Sequence, residues 1–283
     1  MRLSSVVLSY NSARHIETCI RALAQERSPE EEDEVWVFEN GSSDGSAAIL
    51  QRLEREFAGF LKVLYAESNL GTTVSRNRLL RLVTGRYIAV LDSDVQILEG
   101  SIARLLQRLD ADPACGIRAP RLMYPDGRFQ LSADVFPTLL HKFKRYFALR
   151  LMERSANDRA LLTIPQLVDY AISAFWIMRR EVIGYVGLLD ENIVYSPEDV
   201  DYCLRVWKAG YTVVYDPTVV AVHDAQEISR GFRLRKATIQ HMLGLLYYFR
   251  KHKYFFGRQR LYRQIKRHKQ KEFLGMSSAP LSP

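Results

Sequence analysis

The sequence predicts an α/β protein built on a mostly parallel, doubly wound central sheet flanked by helices. Three observations carry that prediction. Short apolar runs alternate with helical periodicity through the first hundred residues, the pattern of βαβ units. The run from Tyr87 to Leu91 is apolar without interruption, as an interior strand covered on both faces requires. Two carboxylates one residue apart, Asp92 and Asp94, follow it directly, at the strand end where a parallel sheet presents its ligands.

Each element has its own justification. Leu3–Tyr10 is a strand run, and Ala13–Gln25 places Ile16, Ile20 and Leu23 at helical spacing. Glu34–Glu39 is a second strand, after which Gly41 to Ser46 supplies a turn and helix-capping residues. Ala47–Phe57 is an amphipathic helix, Leu61–Tyr65 a third strand and Thr73–Leu82 a further helix that ends at Gly85. Tyr87–Leu91 is the fourth strand and Gly100–Leu109 the next helix. Right-handed crossovers between parallel strands are the economical way to join this series. Beyond it the pattern loosens. Residues 115–137 read as loops and short strands broken by Pro120, Pro125, Gly127 and Pro137. His141–Ala160 is a basic helical stretch, Ala171–Met178 is β-like, Asp199–Ala209 is helical, and Tyr211–Val222 is a strand pair broken at Asp216-Pro217.

The chain has 283 residues, 47% hydrophobic and 25% charged, values of an ordinary globular protein able to bury a large core. Cys19, Cys115 and Cys203 are odd in number and widely spaced, which points to reduced thiols in a cytosolic protein. The polar residues after Met1-Arg2-Leu3 do not fit a signal peptide, and no apolar run approaches the roughly 20 residues of a membrane span. The net charge of +8 is unevenly placed. Residues 225–272 hold 14 Lys/Arg against Glu227 and Glu272, and the remainder is acidic on balance. Charge arguments therefore belong to the C-terminal segment.

Several constellations carry chemistry. Asp-X-Asp offers hard oxygen ligands of the kind Mg²⁺ or Mn²⁺ accepts together with substrate phosphates. Ser9 and Asn11 end the first strand and Glu39 the second, followed by Asn40, Gly41 and Asp44. Polar groups at such a rim suit a nucleotide, and glycine permits close backbone approach. A plain turn explains the same residues. Neither the Gly-X-Gly-X-X-Gly fingerprint nor a Gly-X4-Gly-Lys-Ser/Thr loop is present, which disfavours dinucleotide enzymes and P-loop NTPases. Glu198, Asp199 and Asp201 form a second acidic cluster at a helix start, where the helix dipole favours carboxylates whatever their role. His223 follows a strand and is a third candidate metal ligand beside Asp94.

In this order, Val7 to Asn11, Glu39 to Gly45, Asn69-Leu-Gly71, Leu91 to Asp94, Ala174-Phe175, Arg179 to Glu181, Gly187 to Glu191, Glu198 to Asp201 and His223 resemble the inverting nucleotide-sugar enzymes of glycosyltransferase family 2. The set is similar in particular to the rhamnosyltransferase-like members that build bacterial surface polysaccharides. Phe136-Pro137 and Arg250-Lys-His252 echo that subgroup. The resemblance implies a GT-A (Rossmann-like) fold over 1–225, with a nucleotide-sugar half at 1–115 and an acceptor half at 116–225. A basic helical segment follows at 226–275 and a disordered tail at 276–283. It implies that Glu39 and Asp92 contact the nucleoside, that Ser9, Asn11, Asp44, Asn69 and Arg76 lie near the donor, and that Asp94 with His223 holds Mn²⁺ or Mg²⁺. Asp199 is then the general base. Glu39 stands where the family usually has Asp, and Ser173 where Gly commonly precedes Ala-Phe. Contacts to the donor and the shape of the acceptor pocket are expected to shift accordingly.

That chemistry is coherent. A cation on the leaving diphosphate replaces the acid that glycoside hydrolases supply as a second carboxyl group. One positioned base suffices for the acceptor hydroxyl, and one displacement without a protein nucleophile inverts the anomeric centre. The donor implied by the subgroup is dTDP-rhamnose, and the acceptor is a glycan or lipid-linked hydroxyl. The interleaved cations and aromatics of 241–262 suit peripheral docking on an anionic membrane at the cytoplasmic face. A helix packed on the domain with a solvated cationic face is the other reading. Nucleic-acid binding lacks a recognisable module. Two alternatives stand beside the transferase: a non-catalytic GT-A-like nucleotide-sugar binding or scaffold protein, and a nucleotidyltransferase, which Ser9 to Ala13 does not fit for want of a Gly-rich basic loop.

Overall fold

The structure is a computed structural model describing residues 1–28, 30–139, 141, 164–225 and 236–265. Its first half is a run of strand–helix units. β1 (Leu3–Ser9), β2 (Asp33–Glu39), β3 (Leu61–Tyr65) and β4 (Tyr87–Asp92) alternate with α1 (Ile16–Gln25), α2 (Ser46–Glu56) and α3 (Thr72–Leu80). β2 pairs β1 and β3 in parallel, and β1 pairs β4 in parallel. Each of these strands therefore ends on one rim of the sheet. Successive strand residues serve opposite faces: Val7, Val37, Ala89 and Leu91 join one core with α1 and α2, while Val6, Phe38, Ile88 and Val90 join the other. That alternation explains why these segments are apolar throughout.

The second half completes the sheet. It contributes β5 (Val95–Ile97), α4 (Ser101–Asp110), β6 (Cys115–Met123), β7 (Phe129–Gln130), β8 (Ala133–Asp134), β9 (Gln166–Leu167), β10 (Tyr170–Ala171) and β11 (Phe175–Arg179). α5 (Glu181–Val186), α6 (Glu198–Lys208), β12 (Thr212–His223) and α7 (Lys236–His252) follow. The strand order is β3-β2-β1-β4-β11-β6-β12-β5, with β7 on β6 and β9 on β12. β11 runs antiparallel to both its neighbours, and β6 pairs β12 in parallel. β8 and β10 make a separate small pair.

Two expectations need correction. Residues 115–123 form one nine-residue interior strand in a stretch expected to be loops and short strands. Proline cannot donate to a ladder, yet Pro120 lies beside the register irregularity where β12 bulges between Asp216 and Val220. The same bulge makes β12 one continuous strand where a broken pair is expected. Buried Asp216 accepts from Arg108 at 2.9 Å and Arg118 at 3.0 Å and so holds the bulge closed. The β-like stretch Ala171–Met178 divides into β10 and β11, and the intervening Ile172, Ser173 and Ala174 reach the cleft described below. The basic stretch His141–Ala160, apart from His141, and the tail from 276 lie outside the described residues.

Trp176 stacks on Tyr202 of α6 with centroids 6.0 Å apart, and both are fully buried. This pair fixes α6 against the sheet. Tyr248 and Phe249 of α7, each 0% exposed, extend the same core. Cys19, Cys115 and Cys203 are all free and buried. Burial pushes the Cys19 thiol up to about 12 and Cys115 to about 11, and raises Cys203 as well. No helix among the described residues is long and apolar enough to cross a membrane.

Candidate active site

The site forms where the parallel strands end. The β1–α1 and β2–α2 loops bind each other: Asn11 N–H donates to the Ser42 hydroxyl, and Ser43 N–H donates to Asn11 Oδ1, both at 2.9 Å. Asn11 holds a left-handed φ of 48°, which asparagine tolerates better than most residues. Asp44 accepts from Ala13 N–H and from Ser46. Partial burial raises its carboxyl, but those hydrogen bonds prevail and hold it below the ordinary range. Ser9 bonds Ser12, again within the loop. Glu39, 2% exposed, accepts from the backbone N–H of Gly41 and Ser42. Gly41 is required here, since a Cβ would lie 2.6 Å from the backbone of Ser68. Asn40 ties the β2 rim to Asn69 at 3.1 Å and to Leu70 N–H. Asn11, Asp44 and Asn69 thus shape the rim through loop-to-loop bonds, while Ser9 and Glu39 brace their own loops.

Asp92 and Asp94 flank the end of β4, and His223 ends β12, whose pairing with β5 sets His223 opposite Val95. Ligand atoms of Asp92, Asp94 and His223 all lie within 4.8 Å of one another. His223 Nε2 is 3.3 Å from Asp94 Oδ1, and its Nδ1 is 2.9 Å from Gln130 Oε1. An Nδ1–H donated to that amide oxygen leaves the Nε2 lone pair facing the carboxylates, the tautomer a metal ligand needs. Among the described residues, buried Asp94 Oδ1 has no hydrogen-bond partner. A buried carboxylate oxygen without a donor is costly, and a divalent cation among two carboxylates and an imidazole would satisfy it. The residues therefore fit a metal. Burial lowers the His223 pKa, but Asp94 and Asp92 outweigh it and raise the group. Enclosure raises the Asp92 carboxyl, with Arg76 opposing and Asp94 adding to the rise.

Arg76, on α3 and 2% exposed, joins the two acidic motifs. It donates to Asp92 at 2.5 Å, to the Ser173 hydroxyl and carbonyl, and lies 3.4 Å from Glu198. The expected donor-side residue is thus engaged inside the protein. Ser173 donates to Glu198 at 3.2 Å, a bond glycine at that position could not make. Asn77 instead bonds Leu189 and Glu191. Glu198 and Asp199 open α6. Burial, then the neighbouring Asp199 carboxylate, push Glu198 up to about 8 although Arg76 opposes them. Arg76, Asp92, Ser173, Asp199, His223 and His241 all line one cleft of about 280 Å³. Gln130 escapes notice in the sequence, and His241 is read there only as the start of the 241–262 segment and not as a site residue. Gln130 sits in a two-residue strand outside any motif, and His241 in a helix far along the chain from the acidic motifs.

Residues 4–184 match the sequence model of the family Glycosyl transferase family 2. It is 31% identical over 197 residues to the pre-mycofactocin glycosyltransferase of Mycobacterium tuberculosis, covering 69% of this chain and 39% of that protein. The chain thus spans about two-fifths of that relative's length. It is 28% identical over 238 residues to the N-acetylglucosaminyl-diphospho-decaprenol L-rhamnosyltransferase of the same species, covering 78% and 75%. Among solved structures, GalNAc-T7 with UDP, GalNAc and Mn²⁺ superposes with a TM-score of 0.66 at 15% identity, covering 88% of this chain and 48% of that one. A mannosyltransferase from Pyrobaculum calidifontis in complex with GDP-Man and Mn²⁺ gives 0.63 at 17%, covering 99% and 76%. With a family match over well more than half its length and this strand order around the cleft, the chain has the GT-A fold and belongs to glycosyltransferase family 2.

Proposed function

We propose that this chain is a metal-dependent, inverting glycosyltransferase that moves a sugar from a nucleoside-diphospho-sugar to a hydroxyl of a glycan or lipid-linked acceptor in bacterial envelope polysaccharide synthesis. The observation that carries the reading is the convergence of Asp92, Asp199 and His223 on one cleft, with Asp94 beside them. The donor is dTDP-rhamnose, a choice supported by the motif resemblance and by the similar rhamnosyltransferase. We assign 1–115 to the donor half, 116–225 to the acceptor half and 226–275 to a basic segment that contacts an anionic membrane at its cytoplasmic face.

Mn²⁺ or Mg²⁺ held by Asp94 and His223, with Asp92 alongside, would neutralise charge on the leaving diphosphate. Gln130 fixes the imidazole for that task. Arg76 neutralises Asp92 and anchors α6 through Glu198, so the first turn of the helix keeps its place in the cleft. Of the adjacent carboxyl pair, Glu198 holds its proton to about pH 8. Asp199 is the partner left to accept the acceptor hydroxyl's proton: it opens α6 and lines the cleft, where one positioned base suffices.

The test is a donor screen. Release of nucleoside diphosphate from UDP-, GDP- and dTDP-sugars is measured with Mn²⁺, Mg²⁺ or EDTA, with Asp94→Ala as control. Turnover of one donor that needs the metal and is lost in the variant is expected. Failure of every donor to bind by calorimetry or to turn over would overturn the reading. Inversion is checked by the anomeric coupling in the product's NMR spectrum, where retention would refute the single displacement.

A further inference from the structure

Helix α7 has two faces of different character. Its inner stripe, His241, Gly244, Tyr248 and His252, is turned toward the protein: His241 lines the cleft and the other three are buried. His252 meets buried Asp201 of α6 at 2.8 Å, and Lys251 meets Asp190 and Asp201 at 2.7 and 2.6 Å. The opposite stripe is Ile239, Met242, Leu243 and Leu246, exposed at 48, 57, 60 and 59%. Their spacing of i, i+3, i+4 and i+7 is one continuous helical face. A helix merely packed on the domain would turn charge outward there, and this one turns four large apolar side chains outward. Exposed Arg250 continues the stripe, and just past the end of the helix come exposed Lys253 and Phe256, the latter 83% exposed.

We propose that the outer face of α7 docks on an anionic lipid bilayer. Charge selects this occupant. The apolar stripe ends in cations within a segment carrying 14 Lys/Arg and two Glu, so a second copy would bring like charges together, whereas anionic headgroups attract them. Apolar side chains enter the headgroup boundary while Arg250 and Lys253 meet the phosphates. This deepens the transferase reading and rests on it only for the acceptor. Because His241 occupies the opposite face, the cleft wall stands about one helix diameter, roughly 10 Å, from the lipid plane. Such a site takes an acceptor whose reacting hydroxyl lies on the first sugars of a lipid-linked glycan.

The test is flotation of the full chain with vesicles of phosphatidylcholine alone or mixed with phosphatidylglycerol. The wild type is expected to float with the mixed vesicles. Met242→Glu with Leu246→Glu should lower binding by about tenfold or more, and Arg250→Glu with Lys253→Glu should abolish the preference for phosphatidylglycerol. All four side chains are outside the core, and unchanged thermal melts would show that the variants fold. A wild type left at the bottom of the gradient overturns the proposal. So does a Met242→Glu, Leu246→Glu pair that floats like wild type, or sedimentation showing a wild-type dimer which that pair dissolves. Flotation needs no turnover, so a failed donor screen and a failed flotation refute different statements.

Discussion

Gly244 sits in the middle of α7, where intrinsic propensity and packing predict opposite signs for the substitution Gly244→Ala. In an exposed helix interior alanine is better than glycine by about 1 kcal/mol. At this position, however, an added Cβ would lie 2.2 Å from the carbonyl oxygen of Ser196 and 3.2 Å from its carbon. The obstacle is backbone, so no side chain can rotate away. Ordinary contact begins near 3.4 Å, and α7 or the Ser196-Pro197 segment must retreat by about 1 Å. That shift loosens Tyr248 and Phe249 from the core and draws His252 from Asp201. Overpacking of this kind costs about 1–3 kcal/mol; set against about 1 kcal/mol of helix preference, the net loss is up to about 2 kcal/mol, a fall in melting temperature of up to about 8 °C. Gly184 of α5 is the internal control: nothing lies within 4 Å of its Cβ position, so Gly184→Ala should be neutral or stabilising by about 0.5 kcal/mol. The assay is urea unfolding followed by tryptophan fluorescence, with calorimetric melts alongside. A Gly244→Ala variant as stable as Gly184→Ala would refute the seating of α7 on the segment that leads into Asp199.

Other expectations follow from the same contacts. Glu198→Gln should change the pH dependence of stability. The folded carboxyl titrates near pH 8 against an ordinary 4.5, so its burial is free below pH 4.5 and costs progressively more as pH rises toward 8. Urea titrations across that window should show the variant gaining about 3–5 kcal/mol on wild type, and parallel curves would refute the shift. Gln130→Leu removes the acceptor for His223 Nδ1 and should weaken Mn²⁺ binding by about 10–100-fold in calorimetry; unchanged affinity would remove His223 from the ligand set. Asp201→Asn leaves Lys251, His252 and Arg205 without their buried carboxylate and should cost about 3–5 kcal/mol in urea unfolding. A loss under 1 kcal/mol would mean that the Asp201 cluster does not hold α7 in place.

Local periodicity made the first hundred residues legible, because each βαβ unit encodes its own pattern within about 30 residues. The same rule fails at Cys115–Met123. Pro120 reads as a breaker, yet it is absorbed at the irregular β6–β12 pairing, and nearby Gly116 admits Tyr211, 2.8 Å from a Cβ position. Both solutions depend on partners about a hundred residues away. Strand-end reasoning was enough to bring Asp92, Asp94 and His223 to one place, since a parallel sheet collects its strand ends on one rim. It could not foresee that Arg76 turns inward to bridge Asp92 and Glu198, for a lone arginine on a helix looks like any exposed cation. Nor could it tell which stripe of α7 faces the protein. The outer stripe is the more apolar one, so hydrophobicity alone would bury it. The close fit of Gly244 on Ser196 and the pairing of His252 and Lys251 with Asp201 and Asp190 turn the other stripe inward.

The burial of all three thiols has a practical side. Cysteine reacts as the thiolate, and burial keeps these groups protonated and out of reach. The native chain is thereby silent toward maleimides and spin labels without any cysteine being removed. A cysteine placed singly at Met242, Leu246 or Phe256 would carry the only reactive sulfur in the molecule. Its label would report, residue by residue, how deep each position lies when the chain meets a surface.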